Sequence, residues 1–201
     1  MSATIAGAIV AGGASSRFGG QAKGLLRVGG ERIIDRIARA LRPVVETIAV
    51  VSNAPDASSW LDGAPVWHDQ RDERASIVGV HTALSHADTV VVVAWDMPFV
   101  TEQIIGAIVG ARTSRSSAVV PVGPRGPEPM CALYTRDCLE AIEGALAAGD
   151  LRMTALVERL PRSTRLSLSD VSRFGDPARL FFNVNTPEDL SLAEEMAARD
   201  G

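Results

Sequence analysis

Short apolar runs alternate along the chain with stretches that repeat at helical spacing. Residues 4–10 are small and β-branched, the composition of a buried first strand. Residues 32–41 place Ile33, Ile34, Ile37, Ala38 and Leu41 on one side with charges opposite, which predicts an amphipathic helix. Strands are expected at 47–51 and 65–67 and a helix at 78–85. The valine-rich run 89–94 suits the centre of a parallel sheet, where both faces are covered. A helix over 101–111 follows with Thr101 as its N-cap. Further strands are expected at 117–122, 130–134, 164–168 and 181–184, with helices at 137–148 and 152–160. Thr186 and Pro187 open a last amphipathic helix to residue 198. This alternation predicts an α/β fold with a mostly parallel sheet covered on both sides, in one domain spanning 1–201. Ligands of such sheets bind at the carboxyl ends of the strands, near the switch in strand order.

Composition narrows the function. The 201 residues are 46% hydrophobic and 22% charged, and the net charge is −4. An acidic balance with no basic face argues against a nucleic-acid binder, so phosphate recognition has to be local. Cys131 and Cys138 are too few for a disulfide framework or a zinc site, and are expected to pack in a reducing compartment. No targeting segment and no apolar run of membrane-spanning length is visible, so the expectation is a cytoplasmic protein without membrane contact.

Directly after the first strand the chain reads Val10-Ala11-Gly12-Gly13-Ala14-Ser15-Ser16-Arg17-Phe18-Gly19-Gly20-Gln21-Ala22-Lys23. Glycines permit positive φ and close backbone approach to phosphate, while Arg17 and Lys23 supply fixed charge. Gly20 is followed by Gln21-Ala22-Lys23-Gly24, which breaks the Walker A pattern, and adjacent Gly12 and Gly13 break the dinucleotide fingerprint. Two readings stand on the loop alone: a phosphate cradle, or a solvated Gly/Ser turn with two basic residues.

Two further segments bear chemistry. In Trp95-Asp96-Met97-Pro98 an acid leaves a buried strand that Pro98 stops, at the sheet edge that the glycine loop also reaches. Asp96 reads as a Mg²⁺ ligand completed by substrate phosphates, or else as a cap for the next helix. In Phe181-Phe182-Asn183-Val184-Asn185-Thr186-Pro187 the alternating asparagines would share one strand face as an amide pair, or else serve the turn before the helix. His68, His81 and His86 lie apart from any nucleophile, and the two on the 78–86 stretch suit ordinary helix positions. Arg125 and Arg152 are open between an acceptor phosphate and surface ion pairs.

Taken together, the opening loop, Trp95-Asp96-Met97-Pro98-Phe99, Glu128-Pro129-Met130-Cys131-Ala132-Leu133-Tyr134 and Phe182-Asn183-Val184-Asn185-Thr186-Pro187 resemble the molybdenum cofactor guanylyltransferases. The resemblance covers nearly the whole chain. It implies a Rossmann-like three-layer nucleotidyltransferase fold that transfers GMP from GTP to the terminal phosphate of molybdopterin, with Mg²⁺, and releases pyrophosphate. By the same resemblance Val10, Ala11, Gly12 and Gly13 lie against the nucleotide, with Lys23 and Arg17 on its phosphates. Asp96 holds the metal, Asp69 contacts GTP, Asn53 lies near a guanine-side position, and Asn183 and Asn185 face the acceptor. The Gly12-Gly13 pair matches the guanylyl rather than the cytidylyl form. Proteins of cofactor synthesis or molybdoenzyme maturation are implied as partners, with monomer and homodimer both open.

The chain departs from this pattern at four places. Ala75-Ser76 stands where a Gly-Pro pair is usual, and Trp95 where a small residue or cysteine precedes the aspartate. Phe18 replaces a methionine and Ala22 an aspartate. These departures keep two alternatives in view: a nucleotidyltransferase for another phosphorylated acceptor, and a nucleotide-binding protein without catalysis.

Overall fold

The computed structural model describes residues 4–11, 22–69, 71, 73 and 75–199. Strand β1 (Ala6–Val10) lies between β4 (Thr47–Val51) and β6 (Thr89–Ala94), parallel to both, with Val10 opposite Val51 and Ala94. On one side β5 (Val66–Trp67) extends the parallel run. On the other, β9 (Cys131–Thr135) is antiparallel between β6 and β7 (Ala118–Gly123), and β10 (Ser163–Leu166) closes the sheet parallel to β7. The order is β10-β7-β9-β6-β1-β4-β5, with β8 (Gly126–Pro127) paired to β7 as the eighth strand. The chain leaves β1 toward β4 and returns to its other side as β6, so the switch in direction lies at β1.

Alternating residues of these strands build two cores. Ile9, Val91, Val93, Val119 and Leu133 face α1 (Ile33–Leu41) and α3 (Glu102–Gly110). Ala8, Val90, Val92, Val120, Ala132 and Tyr134 face α2 (Ser76–His86), α4 (Leu139–Ala147) and α5 (Met153–Arg159). The β6 valines are fully buried because helices cover both faces of a central parallel strand. Cys131 and Cys138 are buried and free, and burial pushes the Cys138 thiol up to about 11. Among the described residues no helix is long and apolar enough to cross a membrane.

Before α1 the chain makes a hairpin of β2 (Arg27–Val28) and β3 (Glu31–Arg32). Its turn residues Gly29 and Gly30 both have positive φ, 60° and 79°, the conformation that matches strand twist in a two-residue loop. The last helix, α8 (Pro187–Ala198), packs on this hairpin: Gly29 N–H donates to Glu194 at 3.0 Å.

The expected strands at 47–51 and 89–94 form over those residues, and Thr101 caps α3 through its hydroxyl. The strand expected at 164–168 ends at Leu166, because Ser167 begins a capping box with Asp170 that starts the short α6 (Leu168–Val171). The strand expected at 181–184 does not form. Asp176 and Pro177 start α7 (Pro177–Leu180) instead, and Phe181 N–H closes that turn on Pro177. Phe181 and Val184 still bury their side chains, but the backbone meets only the segment just after β6, Val184 N–H donating to Asp96 O at 2.8 Å. An apolar pattern was satisfied there without a ladder.

Candidate active site

The carboxyl ends of β1, β4, β5 and β6 open on one edge, and the residues that follow them carry the candidate chemistry. Lys23 opens a 3-10 turn, Lys23–Leu25, and is only 9% exposed. Its Nζ donates to Asn185 Oδ1 at 2.8 Å. Beside it, Gly24 lies flat on Trp95, where a Cβ would stand 2.8 Å from the indole Cε3. Trp95 stacks on Trp60 at 5.2 Å between centroids, and its backbone N–H donates to Val10 O at 3.2 Å. The sequence reading noted Trp95 only as a departure; its role as the floor beneath Gly24 needs the fold to be seen.

Asp96 leaves β6 next to this turn. Burial pushes its carboxyl above the usual carboxylate range, and the Lys23 ammonium pulls it part of the way back. Its Oδ1 is buried without a hydrogen-bond partner among the described residues. An acceptor oxygen in that state calls for a cation or a donor from a ligand. The capping alternative for Asp96 falls away, since Thr101 fills that place.

Asn185 reaches Lys23 because α8 begins there: its N–H and that of Thr186 donate to Asp189, the reciprocal half of a capping box. Asn183 points elsewhere and donates to Phe181 O at 2.9 Å. The two amides therefore do not share a strand face, which corrects the expected pair. An irregular segment between two short helices has no period to align them.

Across β1, Asn53 and Asp69 meet after β4 and β5. Asn53 Nδ2 donates to Asp69 O at 3.1 Å, and Asp69 Oδ1 accepts from Thr82 of α2 at 2.6 Å. Ala11 N–H donates to Val51 O at 3.0 Å. Val10 lies under α2, where a Cβ on Gly79 would come within 2.5 Å of it. Gly12, Gly13 and Arg17 lie outside the described residues. His86 stacks on Trp67 at 4.8 Å, and Arg152 is bound to Asp150, which it holds at about 2.

Residues 7–164 match the family described as MobA-like NTP transferase domain. The chain belongs to this family. A molybdenum cofactor guanylyltransferase from Desulfosudis oleivorans is 35% identical over 193 residues, covering 94% of both chains. A probable molybdenum cofactor guanylyltransferase from Deinococcus radiodurans is 34% identical, with 92% of this chain and 91% of that one covered. The solved structure of molybdopterin-guanine dinucleotide biosynthesis protein A from Archaeoglobus fulgidus superposes with a TM-score of 0.81 at 27% identity, covering 96% of this chain and 99% of that one. A 2-C-methyl-D-erythritol 4-phosphate cytidylyltransferase from Thermus thermophilus, 20% identical with a TM-score of 0.67 over 98% of this chain and 100% of that one, shares the fold.

The protein is thus a nucleotidyltransferase, and its edge geometry suits that chemistry. Asn185 is a neutral acceptor, so it orients the Lys23 ammonium without cancelling its charge. A Mg²⁺ ion fits Asp96, whose orphaned oxygen is a hard ligand. Among the described residues no group of three or more His, Cys, Asp or Glu could cage a metal, so phosphate oxygens and water would complete the shell. A separate cleft of about 270 Å³, lined by Arg36, Phe99, Thr101 and Arg179, shares none of these residues.

Proposed function

We propose that this nucleotidyltransferase moves GMP from GTP onto the terminal phosphate of a molybdopterin-type acceptor, with the whole chain as one catalytic domain. The observation that carries the reading is the meeting of Lys23 with the unsatisfied Asp96 carboxylate just beyond the carboxyl end of β6. Identity of 35% to a curated guanylyltransferase over 94% of the chain supports the choice of nucleotide and acceptor.

An acceptor phosphate oxygen forms the new bond to the α-phosphorus, the α–β bridging bond breaks, and pyrophosphate leaves with that electron pair. A phosphate monoester is largely a dianion at neutral pH, so no protein base has to remove a proton. Mg²⁺ held by Asp96 supplies charge neutralisation on the triphosphate. The Lys23 ammonium, nearly dry and aimed by Asn185, stabilises charge on the same phosphates with little reorganisation. Arg17 adds a second cation, and Val10, Ala11, Gly12 and Gly13 bring backbone against the nucleotide. Asn53 and Asp69, tied to each other and to α2, present the guanosine end of the site. Asn185, at the other end, faces the acceptor. Catalysis is positioning and electrostatics in this scheme.

Incubation with Mg·GTP and molybdenum cofactor, followed by mass detection of a guanine dinucleotide and of pyrophosphate, tests the reading. Product is expected with GTP and not with CTP. Nucleotide binding without any product, or transfer to other phosphorylated acceptors only, would overturn it.

A further inference from the structure

Glu128 occupies the half of the edge that the nucleotide scheme leaves empty. Strand β9 runs antiparallel to β6, and Met130 O accepts the Ala94 N–H at 2.8 Å. Glu128 comes two residues before Met130, and Asp96 two after Ala94, so both acids stand at the same end of one ladder. The sheet order puts β9 and β7 on the side of β6 away from β1, β4 and β5, hence away from Asn53 and Asp69.

The chain holds this residue firmly. Its N–H donates to Pro121 O at 2.9 Å, and its carbonyl accepts from Cys131 N at 3.1 Å. Its side chain lies against Gly123, where a Cβ would stand 2.4 Å from Oε1 and 3.0 Å from Cγ. The β7–β8 turn carries Arg125, whose charge acts on this carboxyl from beyond ion-pair contact. Glu128 is nevertheless half-buried with neither a hydrogen bond nor an ion pair on its carboxyl among the described residues. Asp150, by contrast, binds Arg152 and Arg159. A partly dehydrated carboxyl without a partner is a cost that a ligand's donors relieve.

The shape of that ligand follows from the surroundings. The carboxyl repels phosphate, and the Arg125 charge beside it opposes a second divalent cation. A flat, uncharged edge with two parallel N–H donors matches the two oxygens. The 2-aminopyrimidin-4-one edge has that form, and it occurs both in pterins and in guanine. We infer that Glu128 is a specificity residue of the acceptor subsite, accepting the paired N–H groups of the acceptor's pterin ring. This rests on the proposed acceptor class.

The full chain can be titrated with 6-hydroxymethylpterin, followed by pterin fluorescence, and separately with Mg·GTP by calorimetry. Glu128→Ala is expected to weaken pterin binding about tenfold and leave GTP affinity within about twofold, as loss of a charge-assisted hydrogen-bond pair implies. Gly123→Ala, which displaces the carboxyl without removing it, should weaken pterin in the same direction. Unchanged pterin affinity in both variants, or no pterin binding by the wild type, overturns the inference. Weakened GTP with pterin unaffected overturns it too, by placing guanine there. If the wild type forms dinucleotide and Glu128→Ala keeps its acceptor KM, this inference fails while the guanylyltransferase reading stands. If the wild type forms none, that reading fails, and the pterin titration still tests Glu128.

Discussion

Gly24 and Trp95 share one space: a Cβ on the glycine would lie 2.8 Å from the indole Cε3. The indole leaves little room to yield, because its other neighbours include Trp60, stacked at 5.2 Å. The backbone of Gly24 therefore rests at a height set by Trp95, and Lys23 is the adjacent residue. Gly24→Ala should lift the turn and displace the ammonium, with kcat falling on the order of tenfold to a hundredfold, as small misplacements of charge at a reacting centre do. Trp95→Leu in the same chain should restore most of that loss. Pyrophosphate release by the single and double variants measures the coupling, and additive losses would show that the two residues act separately.

Trp95 also buries an indole N–H that has no partner among the described residues. Trp95→Phe removes that donor while keeping an aromatic face against Gly24 and Trp60. The lost volume and the relieved donor, about 1–3 kcal/mol, act in opposite directions, so a change under about 1 kcal/mol is expected. Trp95→Ala leaves a cavity instead and should cost about 3–5 kcal/mol. Urea unfolding distinguishes the two outcomes.

Asp96 should trade stability for chemistry. Its folded-state acidity is weakened by burial, so at pH 7 the ionised carboxylate opposes folding of the free protein. Asp96→Asn is expected to raise the unfolding midpoint without nucleotide and to abolish transfer. Lys23→Ala should abolish transfer with the fold intact. Asn185→Asp is a subtler probe: it converts the 2.8 Å contact into an ion pair and neutralises Lys23. GTP affinity should fall in that variant although the contact itself is stronger, which calorimetry can read.

A second carboxyl gives stability a pH slope of known sign. Burial pushes Glu128 up from 4.5 to about 7 in the folded protein, against the pull of Arg125. Between those values the folded state binds more protons than the unfolded one, so the contribution of Glu128 to stability declines as pH rises from about 4.5 through about 7. Glu128→Gln removes that slope. Relative to wild type it should gain stability at pH 8 and show little difference at pH 4, measured by denaturant unfolding at each pH.

Periodic segments were readable from the chain because a strand or helix that faces a core repeats its apolar residues every two or three to four positions. Helix α1 is of this kind, whereas strands 47–51 and 89–94 were readable as short continuous apolar runs, since a central parallel strand is covered on both faces. The same logic misled at 181–184. Phe181 and Val184 are apolar for burial, yet Asp176 and Pro177 upstream start a short helix, and Asn183 turns back to Phe181. The motifs singled out Lys23 and Asp96 as candidates, and the resemblance added Asn53 and Asp69. Glu128 lies in a segment that carries the resemblance but gains no role from it, since one acid beside a proline has no chemical pattern of its own.

By itself the sequence determined the α/β alternation, the residues of the sheet centre and the residue types gathered at its edge. Those features depend on local spacing and on burial, which each segment carries within itself. Only the tertiary structure decided that Asn185 aims Lys23, that Trp95 sets the height of Gly24, and that Glu128 stands across β6 from Asn53. Each of these is a relation between segments far apart in the chain, set by how strands order in the sheet rather than by any spacing along it.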